Sequence, residues 1–298
     1  MNQAATLKKW KENIMAEDEV FTPGRPVPQT SVNPRVMCFS SGKGGVGKTS
    51  MVTNIALAMA KLGNRVMILD ADLGLANVDV ILGLSPRYTI KHLFSGEKSL
   101  DEIIVQGPGG IQILPSGSGV PELVNLSEGE KLMLLSEMER LETPPEVMLI
   151  DTAAGIADNV LYFNIAARQR VVVVTPEPTS ITDAYALIKV LSARHHVRDF
   201  MILVNWVKHE QEARKVFKQL SAVADRFLGM LRLVYIGYIP RDTAISKAVR
   251  QQRPALELYP DSKACREFVT VAENILSTEN ECRDDGNIKF FWKQLLGI

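Results

Sequence analysis

The residues best suited to chemistry form one short run, Ser41-Gly42-Lys43-Gly44-Gly45-Val46-Gly47-Lys48-Thr49-Ser50. It fits Gly-x-x-x-x-Gly-Lys-[Ser/Thr], a loop that folds its backbone around phosphate. Glycines let successive N–H groups point inward, and a following helix adds partial positive charge at its N-terminus. Lys48 would reach the β- and γ-phosphates of a nucleotide, and the Thr49 hydroxyl would ligate Mg²⁺. A rival reading uses the same glycines. Gly42-x-Gly44-x-x-Gly47 also fits a dinucleotide fingerprint, with Asp70 lying 23 residues beyond Gly47 in the place of a ribose-binding acid. A dinucleotide site needs neither a lysine nor a hydroxyl at 48 and 49, which favours the phosphate loop.

Three acids accompany the loop. Asp70 and Asp72 lie in Leu69-Asp-Ala-Asp-Leu-Gly74, and Asp151 lies in Ile150-Asp-Thr-Ala-Ala-Gly155. Each group follows an apolar run that reads as a strand. In a parallel sheet both would reach the carboxyl edge, where the phosphate loop also sits. Asp151 then suits the Walker-B role, holding Mg²⁺ or its waters. Gly155, four residues on, resembles a switch glycine whose N–H senses the γ-phosphate. The plainer reading is that such acids cap the helices that follow. Three acids beside one phosphate loop favour the functional reading.

These residues need a scaffold, and the chain supplies one. Short apolar runs recur at Val36–Phe39, Val66–Leu69, Ile111–Leu114, Val147–Ile150, Val171–Val174, Met201–Val204 and Val234–Ile239. They are continuous rather than alternating, as in strands covered on both faces. Helical periodicity lies between most of them, at Lys48–Leu62, Leu123–Leu141, Ile181–Ala193 and Glu210–Leu228. Two more helices are expected near Thr243–Gln252 and Ser262–Leu276. The order predicts an α/β fold, a mostly parallel sheet flanked by helices on both faces. The expected organisation is a head helix at 1–20, a Pro-rich linker at 21–34, a nucleotide-binding domain at 35–277, a polar linker at 278–287 and a tail helix at 288–298.

Composition narrows the function classes. The 298 residues carry 34 Lys+Arg against 34 Asp+Glu, which argues against a globally basic nucleic-acid binder. No apolar run reaches the ~18 residues of a bilayer span, and Met1–Lys11 lacks the apolar core of a secretory signal. Cys38, Cys265 and Cys282 are too scattered for a disulfide frame or a Cys-x-x-Cys metal site. A reduced, cytoplasmic protein is expected.

Lys43 makes the loop Lys-Gly-Gly-Val-Gly-Lys-Thr, and this variant resembles the deviant Walker A of the MinD/ParA ATPases. The resemblance implies an ATP- and Mg²⁺-dependent ATPase that closes as a sandwich homodimer. It implies that Lys43 crosses to the phosphates bound by the other subunit. Asp72 would orient the attacking water, and Asp70 would belong to the outer magnesium shell. Asn205 and Pro240-Arg241-Asp242 match the adenine-binding positions. Cluster-carrying relatives are set aside because the three cysteines have no paired spacing. Leu69–Gly83, Glu177–Lys189 and the head Asn2-Gln-Ala-Ala-Thr-Leu-Lys8 look most like the flagellar branch, the FlhG (or FleN) group. The head departs from that group's Asp-Gln-Ala-x-x-Leu-Arg at Asn2 and Lys8. A lysine there lacks the bidentate geometry of arginine.

The branch implies control of flagellar number and placement. Its implied partners are an FlhF-like GTPase at residues 2–20, and flagellar switch (C-ring) proteins or a flagellar transcription activator. The alternatives are a MinD-like division-site ATPase or a ParA-like DNA- or cargo-positioning ATPase. The last needs a local basic patch, for which Arg194, Arg198, Arg214, Lys215 and Lys218 are candidates. A solvated helix face explains those charges more simply, so no direct nucleic-acid partner is expected. On a helical wheel Ile288, Phe291, Trp292, Leu295, Leu296 and Ile298 share one face, Lys289, Lys293 and Gln294 lie elsewhere, and only Phe290 breaks the pattern. That pattern suits an anionic membrane surface, or a helix docked on the protein itself. Reversible residence at the inner face of the cytoplasmic membrane is therefore expected.

Overall fold

The computed structural model describes residues 35–72, 77–115 and 127–278. The head 1–20, the linker 21–34, nearly all of the polar linker and the tail 288–298 lie outside the described residues.

Eight strands form one sheet: β1 (Arg35–Ser41), β2 (Val66–Ala71), β3 (Val105–Gln106), β4 (Gln112–Leu114), β5 (Val147–Ala154), β6 (Gln169–Val174), β7 (Asp199–Val207) and β8 (Arg232–Pro240). Their order is β3-β4-β2-β5-β1-β6-β7-β8. Every pairing is parallel except β3 with β4. All seven expected runs are strands. The addition is β3, two residues long and too short to show a pattern in sequence. From central β1 the chain goes to β2 on one side, and later to β6, β7 and β8 on the other. The loop after β1 thus leaves the sheet where the winding changes direction, the usual place for a ligand crevice in such folds.

The helices are α1 (Lys48–Lys61), α2 (Val78–Leu82), α3 (Ile90–Phe94), α4 (Leu100–Ile103), α5 (Glu128–Arg140), α6 (Asp158–Ala166), α7 (Pro178–His195), α8 (Glu210–Leu228), α9 (Thr243–Arg250), α10 (Ala255–Leu258) and α11 (Lys263–Ser277). The sheet parts alternate residues to two cores. Met37 and Phe39 of β1 and Ile68 of β2 pack with α1 and α11. Val36 and Cys38 of β1 and Met67 and Leu69 of β2 pack with α3, α4, α5 and α6 on the opposite face. Both faces are thus covered, which is why β1 and β2 read as unbroken apolar runs.

The expected helix Leu123–Leu141 is described from Glu128, with Ser127 and Glu130 forming its capping box. The expected Ile181–Ala193 begins earlier, at Pro178, a residue well suited to the first turn, and runs to His195. Helix α1 is apolar nearly all round because it lies between the sheet and α11. That enclosure fixes the helix whose N-terminus faces the phosphate loop. Among the described residues no helix is long and apolar enough to cross a membrane.

Candidate functional site

The loop joins the end of β1 to the start of α1, and Gly47 caps that helix with φ of 85°. Only glycine holds this left-handed angle at no cost. Space demands it too, since a Cβ at Gly47 would lie 2.8 Å from Asn205 Nδ2. At Gly42 a Cβ would run into the backbone carbonyl of Asp183 in α7. Gly44, Gly45, Val46 and Ser50 complete the curve. The Ser41 hydroxyl donates to the Lys43 carbonyl at 3.0 Å and tightens its beginning.

Lys48 points back under the loop. Its Nζ meets Asp151 Oδ1 at 2.5 Å, with the two side chains only 8% and 1% exposed. Asp151 sits on β5 directly opposite Asp70 on β2. Two buried carboxyls therefore lie side by side, and Lys48 is paired with one of them. Asp70 accepts backbone N–H bonds from Asp72, Asn77 and Val78 at 3.0–3.1 Å. Burial, and secondly the nearby Asp151 carboxylate, outweigh those bonds and push the Asp70 carboxyl up to about 7. The pocket holds one lysine for two carboxyls, and a bound cation would relieve the imbalance.

The donor set fits Mg²⁺. Thr49 follows Lys48 at the start of α1, and Asp70 and Asp151 lie side by side on neighbouring strands, so hard oxygens stand beside the loop. Magnesium characteristically keeps waters and takes one or two carboxylates plus substrate phosphates.

Lys43 behaves differently from Lys48. Its Nζ contacts Glu177 Oε2 at 2.5 Å and Thr179 Oγ1 at 3.2 Å, both at the start of α7, and its side chain is 39% exposed. One lysine is thus built into the pocket and the other lies at the rim. Glu177 and Thr179 lie in the segment that resembles the flagellar branch, but nothing in the sequence marks them as partners of Lys43. They stand more than 130 positions from Lys43, and no local pattern joins them.

The remaining expected site residues all reach this edge, but several side chains are already occupied. Gly155 has φ of 98°, and its N–H donates to the Ser41 carbonyl at 2.8 Å. Asn205 is fully buried. Its Nδ2 donates to the Val46 carbonyl at 2.7 Å, and its Oδ1 accepts from the Trp206 N–H at 2.8 Å. It braces the phosphate loop. Asp242 caps two helices at once, accepting from Ala244 N of α9 at 2.9 Å and Ala264 N of α11 at 3.2 Å. Desolvation raises its carboxyl, yet these bonds with others from Ser262 and Lys263 hold it below its ordinary value. Pro240 ends β8, and Arg241 Nε donates to the Trp206 carbonyl at 2.8 Å. Asp72 is half-buried, two residues beyond Asp70. In the suggested basic patch, Arg214 pairs with Glu210 at 2.6 Å and lies over the Tyr235 ring, as a helix surface would.

A family model described as the CobQ/CobB/MinD/ParA nucleotide binding domain matches residues 37–255. The chain is 44% identical over 262 residues to the Antiactivator FleN of Pseudomonas aeruginosa, covering 88% of this chain and 93% of that one. It is 32% identical over 268 residues to the flagellum site-determining protein YlxH of Helicobacter pylori, covering 89% and 90%. Among solved structures, the MinC:MinD cell division protein complex of Aquifex aeolicus contains a chain that superposes with a TM-score of 0.64. That match has 27% identity and covers 84% of this chain and 99% of the other.

Proposed function

The chain belongs to the CobQ/CobB/MinD/ParA nucleotide-binding family and is an ATPase of the MinD type, and from that premise we propose that it is a dimerising switch controlling flagellar number and placement. The observation that carries the switch reading is the unequal placing of the two loop lysines. Lys48 is buried on Asp151 and serves its own phosphate site. Lys43 lies at the rim, where it can serve a second copy.

In this reading the reaction transfers the γ-phosphoryl group of ATP to water. Backbone N–H groups from Gly42 to Ser50 and the N-terminus of α1 hold the phosphates. Lys48 exchanges Asp151 for phosphate oxygens, and Lys43 of one copy neutralises charge developing in the other copy's site. Asp72 orients the attacking water as an acceptor. Thr49 and Asp151, with Asp70 in the outer shell, would hold Mg²⁺, which would supply charge neutralisation to the phosphoryl transfer. Gly155 gives up its bond to Ser41 when its N–H turns to the γ-phosphate. Asn205, Pro240, Arg241 and Asp242 frame the adenine side. ATP then closes the dimer and hydrolysis opens it.

The flagellar assignment draws support from the similarity to FleN and YlxH across most of both chains. FleN is named an antiactivator, which favours a transcription activator among the partners; an FlhF-like GTPase at 2–20 and switch proteins complete the set. Removing the protein from a flagellated host should raise the mean number of flagella per cell. Counts by electron microscopy that match the parent strain would overturn the assignment.

Residues 288–298 are proposed to meet anionic membrane, with the aromatic face supplying most of the attachment. Two such tails in a dimer bind more tightly than one. A chain ending at 287 should lose ATP-dependent co-sedimentation with anionic vesicles. Undiminished co-sedimentation would assign the tail to docking on the protein instead.

A further inference from the structure

Trp206 is unexplained by the phosphate chemistry. It is one of three non-glycine residues with positive φ among those described, at 62°. It sits in a bulge where the pairing of β7 with β8 passes from Asn205↔Ile239 to Val207↔Pro240. Bulges re-aim side chains. Here the flanking Asn205 and Val207 are buried, while Trp206 stays 39% exposed.

The conformation is firmly held. The Trp206 N–H donates to Asn205 Oδ1 at 2.8 Å, and its carbonyl accepts from Arg241 Nε at 2.8 Å. The Arg241 N–H donates to the Val207 carbonyl at 2.8 Å. The same Asn205 amide braces Val46 in the phosphate loop. The Trp206 backbone is therefore fixed relative to the loop, and it places the indole Nε1 4.0 Å from where a Cβ on Gly47 would stand. A bulky residue held in a sparsely populated region, at a ligand-facing edge, is the kind of strain that marks ligand clamps.

Resting on the proposed binding of ATP at the loop, we propose that Trp206 is the aromatic platform for the nucleotide base. The loop anchors the phosphates. An exposed indole beside Gly47, on a backbone held by the bulge, offers an apolar π face to whatever extends from them. Stacking on such a face is tolerant of base identity. Trp206 would thus supply affinity for the base, and the nearby Arg241 guanidinium would supply selection.

The Trp206→Gly variant keeps the left-handed backbone and removes the ring. It should bind ATP and GTP each roughly tenfold more weakly, in line with the usual worth of base–aromatic stacking. Binding of inorganic tripolyphosphate should stay within about twofold, because the phosphate loop is untouched. Trp206→Phe should recover most of the loss. In a chain with Trp10→Phe and Trp292→Phe, Trp206 emission should change with ATP and not with tripolyphosphate. Unchanged ATP affinity in Trp206→Gly would overturn the proposal. An equal loss for ATP and tripolyphosphate would also overturn it, and make Trp206 a support of the loop. Wild-type protein that binds neither ATP nor tripolyphosphate would instead overturn the nucleotide reading itself.

Discussion

Replacing Lys48 with alanine is expected to abolish measurable ATP turnover and to destabilise the fold. The two effects share one cause. Asp151 is almost completely inaccessible, and Lys48 is its ion-pair partner at 2.5 Å. Asp70 faces it from the next strand and already holds its proton to about pH 7. Without Lys48 the Asp151 carboxylate is buried beside Asp70 with no cation to pair it. Removing one partner of a buried pair typically costs about 3–5 kcal/mol. For a domain of this size that lowers the melting temperature by roughly 10 °C. Turnover falls because the β- and γ-phosphates lose the lysine that neutralises their developing charge. Calorimetry and phosphate release check the two halves. The double variant Lys48→Ala/Asp151→Ala should regain part of the stability and none of the activity. A Lys48→Ala protein as stable and active as wild type would show that the pair is neither structural nor catalytic.

The second large effect concerns Lys43. In the single chain it rests on Glu177 and Thr179, with its side chain partly in solvent. An exposed pair of this kind contributes little stability. Lys43→Ala should therefore melt close to wild type. ATP affinity should change by less than about threefold, since Lys48 and the backbone N–H groups remain. Turnover should fall about a thousandfold, the lower end of what a charge supplied in trans is worth in phosphoryl transfer. Binding of a fluorescent ATP analogue separates this outcome from simple loss of the nucleotide. Parallel losses in affinity and turnover would place Lys43 in its own site instead.

Much of this arrangement was legible in the chain, and the exceptions have physical reasons. The central strands announced themselves because both faces are covered, so Val36–Phe39 and Val171–Val174 carry no polar positions. The phosphate loop was legible because phosphate demands glycine, lysine and hydroxyl in fixed order. The one-turn helices α2, α3, α4 and α10 were not, since four or five residues are too few to show a period of 3.6. Helix α6 was missed for another reason. Val160, Leu161, Phe163 and Ala166 are buried along most of its circumference, so it has no apolar stripe. Within the site, residue type and position do not reveal which partners hold each side chain. Asn205 and Asp242 arrive where expected. Yet Asn205 braces Val46, and Asp242 caps α9 and α11, uses that depend on partners far away in sequence. Trp206 depends on a bulge and a positive φ, neither of which an isolated tryptophan between Asn205 and Val207 reveals.

The central claim is that one chain cannot complete its own ATP site, and turnover per protomer measured across protein concentration tests it most directly. Wild-type protein with saturating ATP and Mg²⁺ should turn over faster per protomer as concentration rises, then level off once dimers saturate, while Lys43→Ala stays flat and low throughout. A wild-type rate independent of concentration, in protein that sedimentation shows to be monomeric with ATP, would contradict it.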